Sequence, residues 1–210
     1  MYYLRNPKFE EDYKAGYIFF SFKTDSFISK GIALFTRFEN TSKIPISHCG
    51  IITGPDECVE AAQPGGVQKS NFVKKYIENP MTIVFLRVPF NLDQEKTAIM
   101  EAHAIQHLGK KYAIKGVIGS ALLNLVALPW IKWWRKGKNP FNDREQYFCS
   151  ELVSESMIKA WPDRPGCLIY HPTNIYPTTL FEDNNIFKPW RGDIVKEKRN
   201  QGKIIVPASI

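Results

Sequence analysis

Ser47-His48-Cys49-Gly50-Ile51-Ile52-Thr53 runs through Gly54-Pro55-Asp56 into Glu57-Cys58-Val59-Glu60-Ala61. Two short apolar runs flank a tripeptide whose glycine and proline supply turn dihedrals, so the stretch reads as a β-hairpin. Closure through a three-residue loop sets Gly50 opposite Glu60. His48 then lies on the same face, two positions along the neighbouring strand, where a carboxylate can reach an imidazole. A register shift of one residue would turn Glu60 to the other face, so the pairing makes a definite demand on the turn. Taken alone, His48 reads as a structural histidine and Glu60 as a solvated edge charge.

Outward from the hairpin, strands dominate the first half of the chain and helices the second. Gly16 to Phe22 is an aromatic, β-prone run, and the apolar spacing from Ser26 to Phe38 predicts a helix. Ser70 is a candidate cap for a helix reaching Glu78, and Thr82 to Val88 has the β-branched density of a buried strand. Asp93 opens a helix to about Leu108, and Phe148 to Trp161 carries Phe148, Leu152, Met157 and Trp161 near one helical face. The order implies an α+β domain. No repeat or long linker interrupts the chain, so 1–210 is expected to form a single domain, with Pro140 to Arg144 as its most exposed loop.

Hydrophobic residues at 44% exclude a disordered chain. Four cysteines, Cys49, Cys58, Cys149 and Cys167, form neither a C-x-x-C pair nor a disulfide framework, which fits a reducing compartment. The first residues contain early acids and no apolar run of a secretory signal, so the expected location is cytoplasmic, with membrane association as an addition. Twenty-eight basic against 21 acidic residues leave +7, a bias toward anionic partners. The basic residues gather at 132–138 and 196–203 without any nucleic-acid-binding signature, so nucleic acid is not expected and membrane contact is the better fit.

Cys149 begins the segment Phe148-Cys149-Ser150-Glu151-Leu152-Val153. A helix start offers unpaired N–H groups and a positive dipole end, which favour a thiolate and could stabilise an oxyanion. An arbitrary intracellular cysteine is more often a small buried hydrophobe, so the assignment needs the histidine as well.

The phrase Ser47 to Ile52, followed by Cys58-Val59-Glu60-Ala61 and Pro64-Gly65-Gly66-Val67, resembles the histidine-bearing hairpin of the circularly permuted, papain-like NlpC-type superfamily. Phe148 to Val153 resembles its nucleophile helix, and the pair of motifs is similar to that of the YiiX-like permuted amidases, relatives of the lecithin–retinol acyltransferases. The likeness in order and spacing spans about residues 16 to 181. It implies an antiparallel sheet or partial barrel packed on the nucleophile helix, with Cys149 as nucleophile, His48 as base and Glu60 as the group orienting the imidazole. Tyr112, after Gly109-Lys110-Lys111, resembles the family's cleft tyrosine, and with Ser47 it is placed on the substrate and oxyanion side. Two departures concern the cleft: Ala113 stands where the family has aspartate after that tyrosine, and Gly16-Tyr17 where it has Gly-Asp.

The resemblance implies a cysteine-dependent hydrolase, an amidase, peptidase or lipid acyl hydrolase, or an acyltransferase, acting on an amide or ester. A non-catalytic lipid- or membrane-binding module on the same fold is the alternative. An apolar insertion at about 114–138 contains Gly116 to Ile131 followed by Lys132, Trp133, Trp134 and Arg135. It is too short to span a bilayer, and its tryptophans beside cations suit a headgroup interface; a buried helical hairpin is the other reading. No cofactor is expected, and no metal. Strand alternation turns Cys49 away from His48, while His103 and His107 lie one helical turn apart without an evident carboxylate or cysteine partner.

Overall fold

A computed structural model describes residues 2–4, 7–25, 30, 44–113, 146–188 and 203–206. The helix expected over Ser26–Phe38 lies almost wholly outside these residues, as do the apolar insertion and the 140–144 loop. The fold is α+β: a sheet, antiparallel but for one strand pair, with helices packed on one face.

Its strands are β1 (Tyr2–Leu4), β2 (Ile18–Lys23), β3 (His48–Ile52), β4 (Glu57–Ala62), β5 (Gly66–Asn71), β6 (Thr82–Arg87) and β9 (Lys203–Val206). They lie in the order β1-β9-β6-β2-β3-β4-β5, in which only β6 and β9 pair in parallel. Two-residue strands β7 (Lys111–Tyr112) and β8 (Gln146–Tyr147) pair separately, in parallel. The helices are α1 (Gln94–Gln106), α2 (Cys149–Ala160) and α3 (Pro177–Glu182). Among the described residues no helix is long and apolar enough to cross a membrane.

Side-chain alternation gives the sheet two cores. Ile18, Phe20, Cys49, Ile51, Val59, Ala61 and Phe85 point to the helical side and pack with Met100 and Ala104 of α1 and Leu152, Val153 and Met157 of α2. Phe19, Ile52, Cys58, Val84 and Leu86 point the other way and meet Tyr13, Phe72 and Tyr76. This period of two is what the sheet imposes on each strand.

Asp93 caps α1 as expected, its carboxylate accepting from the Lys96 N–H at 2.8 Å. Ser70 does not cap a helix, because β5 continues through it to Asn71. The next helical piece is a single π-type turn, Val73–Ile77, and Asn71 accepts from the Lys74 N–H at its start. Pairing of Ser70 with Cys58 in the β4–β5 ladder outweighs the local capping preference.

The sequence suggests one apolar face for α2, yet the helix is buried nearly all round. Its serines make this tolerable: Ser150 donates to the Ile175 carbonyl at 2.6 Å, and Ser154 and Ser156 donate back to Glu151 and Leu152 carbonyls at 3.1 and 2.8 Å. Each buried hydroxyl thus keeps a partner.

Arg87 anchors the segment after α3. It is 1% exposed and donates to the Phe181 carbonyl at 2.5 Å, Asn184 Oδ1 at 3.0 Å and the Lys188 carbonyl at 3.1 Å. Phe181 and Phe187 flank its guanidinium. Arg87→Leu strands three acceptors, and we expect a loss of about 3–5 kcal/mol of stability, read as a lower urea midpoint at an unchanged m-value.

Candidate active site

The β3–β4 register pairs Ile51 with Val59 and Ile52 with Cys58, which continues to Gly50 opposite Glu60. His48 and Glu60 therefore share a face. Gly50 between them is required to be small, because a Cβ there would sit 2.5 Å from the Phe19 ring and 2.9 Å from the Val59 carbonyl. Phe19 fills that space and lies beside the His48 ring, with centroids 6.0 Å apart.

The imidazole donates from Nε2 to Glu60 Oε2 at 2.6 Å. Glu60 is fully buried, with two further partners: Lys75 Nζ reaches Oε1 at 2.6 Å, and the Tyr76 hydroxyl donates to Oε2. Tyr76 also stacks parallel to the His48 ring, 6.1 Å away. The π-type turn delivers both Lys75 and Tyr76. Burial alone would raise the Glu60 carboxyl, but His48 and Lys75 outweigh it and hold the group below the usual carboxylate range. Glu60 is thus an anion fixed on three donors.

Cys149 opens α2, at the dipole's positive end, and the Glu151 side chain accepts from the Phe148 N–H at 3.4 Å. It belongs to the helical-side core, yet its sulfur comes to His48 at the start of β3 and faces the imidazole. With Nε2 held by Glu60, Nδ1 is the ring nitrogen left for sulfur. Cys149 is 2% exposed and the His48 side chain 17%, so the imidazole is the more open partner.

Burial draws the His48 imidazole down, but the facing Cys149 sulfur and Glu60 carboxylate outweigh it and hold the group at about 9. The Cys149 thiol is held well below the ordinary thiol range by a hydrogen bond from the Cys49 thiol and by the His48 charge, against the effect of burial. Thiolate and imidazolium are the pair these directions favour near neutrality.

Cys49 is a neighbour that the sequence reading placed away from the chemistry. It does lie on the opposite face of β3 from His48, but Cys149 approaches from that side, so the two thiols meet. Burial and the Cys149 charge push the Cys49 thiol well up, which keeps its proton available to donate.

Tyr112 pairs with Tyr147 in the β7–β8 ladder, two residues before Cys149. Burial and the neighbouring sulfurs push its phenol well up, so it stays a neutral donor. Gly66 permits this approach: at φ +76° a Cβ would overlap the Lys110 carbonyl, and the Val67 N–H bonds that same oxygen at 2.8 Å. Ser47, expected beside Tyr112, is instead buried in the sheet with its hydroxyl donating to the Ser21 carbonyl at 3.3 Å. Its proton is committed to the sheet rather than to a cleft.

Lys75 and Tyr76 were not foreseen from sequence. The i, i+4 spacing of Phe72 and Tyr76 signals a buried face, but nothing local to Lys75 points at Glu60. Cys58 lies away from Cys149, its thiol donating to the Ser70 carbonyl at 3.6 Å. Among the described residues, the group of three potential metal ligands with mutually close donor atoms is His103, His107 and Glu155. Compared with known proteins, the chain matches no family model, and no curated protein matches it.

Proposed function

We propose that the protein is a papain-like cysteine hydrolase or acyltransferase, with Cys149 as nucleophile, His48 as acid and base, and Glu60 orienting the imidazole. The observation that carries this reading is a buried carboxylate on one ring nitrogen of His48 and a helix-start sulfur facing the same imidazole. Nucleophile, base and orienting group in that sequence are the arrangement that activates a thiol.

In this mechanism the Cys149 thiolate attacks the carbonyl carbon of an amide or ester. The oxyanion that forms faces the N–H groups at the start of α2, with the Tyr112 phenol as an added donor. His48 gives its proton to the departing amine or alcohol, which leaves a thioester on Cys149. Water, or an acceptor alcohol or amine, then attacks the thioester while His48 takes up the proton, and the free thiolate returns. A lipid or lipid-linked acyl donor is favoured by the apolar segment 116–131 and its following tryptophans and cations.

Turnover by the ion pair requires the imidazolium, so kcat/KM is expected to fall as pH rises through about 9, the position held by His48. The proposal is tested by incubating wild type and Cys149→Ala with a panel of acyl esters and peptide amides. Intact-protein mass spectrometry should record an acyl adduct on wild type that the variant lacks. Equal turnover by both, or iodoacetamide labelling of Cys149 unaltered in His48→Ala, refutes it.

A further inference from the structure

We propose that His103, His107 and Glu155 form a binding site for a zinc-class divalent cation that links α1 to α2. This is independent of the catalytic reading. The two histidines lie one turn apart near the end of α1, their ring centroids 4.5 Å from each other, and Glu155 comes from α2. One donor atom from each residue lies within 4.8 Å of one from each of the others.

The hydrogen bonds around the rings set their tautomers. His107 Nδ1 lies 2.7 Å from the His103 carbonyl, which can only accept, so Nδ1 carries the proton. His103 Nδ1 lies 3.1 Å from Ser156 Oγ. That hydroxyl already donates its hydrogen to the Leu152 carbonyl at 2.8 Å, so it accepts from His103. Both rings therefore have a lone pair on Nε2, the form in which imidazole binds a metal. The carboxylate is supported as well, Glu155 Oε2 accepting from the Tyr147 hydroxyl at 3.0 Å. Every potential ligand thus has an outer partner fixing its orientation, as metal-ligating histidines and carboxylates commonly do.

Two neutral imidazoles and one carboxylate are the donor set that zinc accepts with a remaining position for water. Metal–ligand distances of about 2.0–2.2 Å place tetrahedral donors about 3.4 Å apart, so the half-exposed side chains must rotate inward to close on the ion. Lys159, whose charge reaches His103, opposes the cation and limits its affinity. Lys110 Nζ lies 5.4 Å from the centre of the Tyr147 ring, whose hydroxyl supports Glu155.

The test uses the untagged full chain after chelator treatment, titrated with Zn2+ by calorimetry and with Co2+ by visible absorption. Wild type should take up one equivalent of Zn2+ with a rise in Tm, and its cobalt spectrum should lack a thiolate charge-transfer band. The Cys49→Ser/Cys149→Ser double variant should bind equally well, while His107→Ala should weaken binding by at least ~100-fold. Tyr147→Phe, which removes only the support of Glu155, should weaken it by about 10-fold and serves where His107→Ala does not fold. Absence of saturable uptake by wild type overturns the proposal. So does binding that follows the thiols, lost in the double cysteine variant and retained in the folded His107→Ala or unchanged in Tyr147→Phe.

Discussion

Cys149→Ala is expected to abolish turnover of acyl substrates, and His48→Ala to lower kcat/KM by about 10²–10⁴-fold, the usual contribution of a positioned acid–base group. The two losses should not add, because both residues serve one proton-coupled attack. His48→Ala removes the charge that holds the Cys149 sulfur low, so its alkylation by iodoacetamide should need a more alkaline pH than in wild type. The alkaline fall in kcat/KM near pH 9 should also vanish, since no imidazolium remains to deprotonate. Steady-state kinetics over pH 5–10 would reveal a wrong assignment if that limb persisted in the variant.

Glu60→Ala is expected to be among the most destabilising single changes, at about 3–5 kcal/mol, because it leaves three donors without their shared acceptor. Glu60→Gln keeps the shape and separates packing from charge: it should fold with a smaller loss and turn over at least ~10²-fold more slowly, because a neutral amide supports the imidazolium poorly. The charges also shape stability against pH. Glu60 is lowered on folding, so its contribution is present above the ordinary 4.5 and lost as pH falls. His48 is raised, so its contribution is complete below the ordinary 6.5 and lost as pH rises through about 9. Cys149, lowered on folding, acts in the opposite sense to His48, so urea midpoints in wild type should climb from the acid side and level between about 6.5 and 9, and the acid side should be shallower in Glu60→Gln. An unchanged acid limb there would mean that another carboxylate governs it.

The hairpin was legible in the sequence because two independent constraints agree: a turn of fixed length and a period of two. Together they specify the pairing of Ile51 with Val59 and bring His48 to Glu60. α1 was equally plain, since Asp93 is a strong local start signal. The misreadings share a cause, which is that tertiary surroundings decide them. Ser70 has the chemistry of a cap, but Cys58 across the ladder claims it for a strand. Strand alternation gives the side of the sheet on which Cys49 lies, yet it cannot tell that a helix start 100 positions later comes to that side. Lys75, Arg87 and Glu155 carry no local mark, for each finds its partner across elements distant in the chain.

The sulfur and the ring are rooted in different layers of the molecule. Cys149 is seated among the helices, whereas His48 leans on Phe19 and Tyr76 in the smaller aromatic layer behind the sheet. Alignment of the two therefore depends on the thinner layer, which has less apolar surface to resist loosening. Catalytic competence is accordingly a more sensitive gauge of that layer's order than any probe of helix content, and selection for activity would act on the backing aromatics as firmly as on the reacting groups.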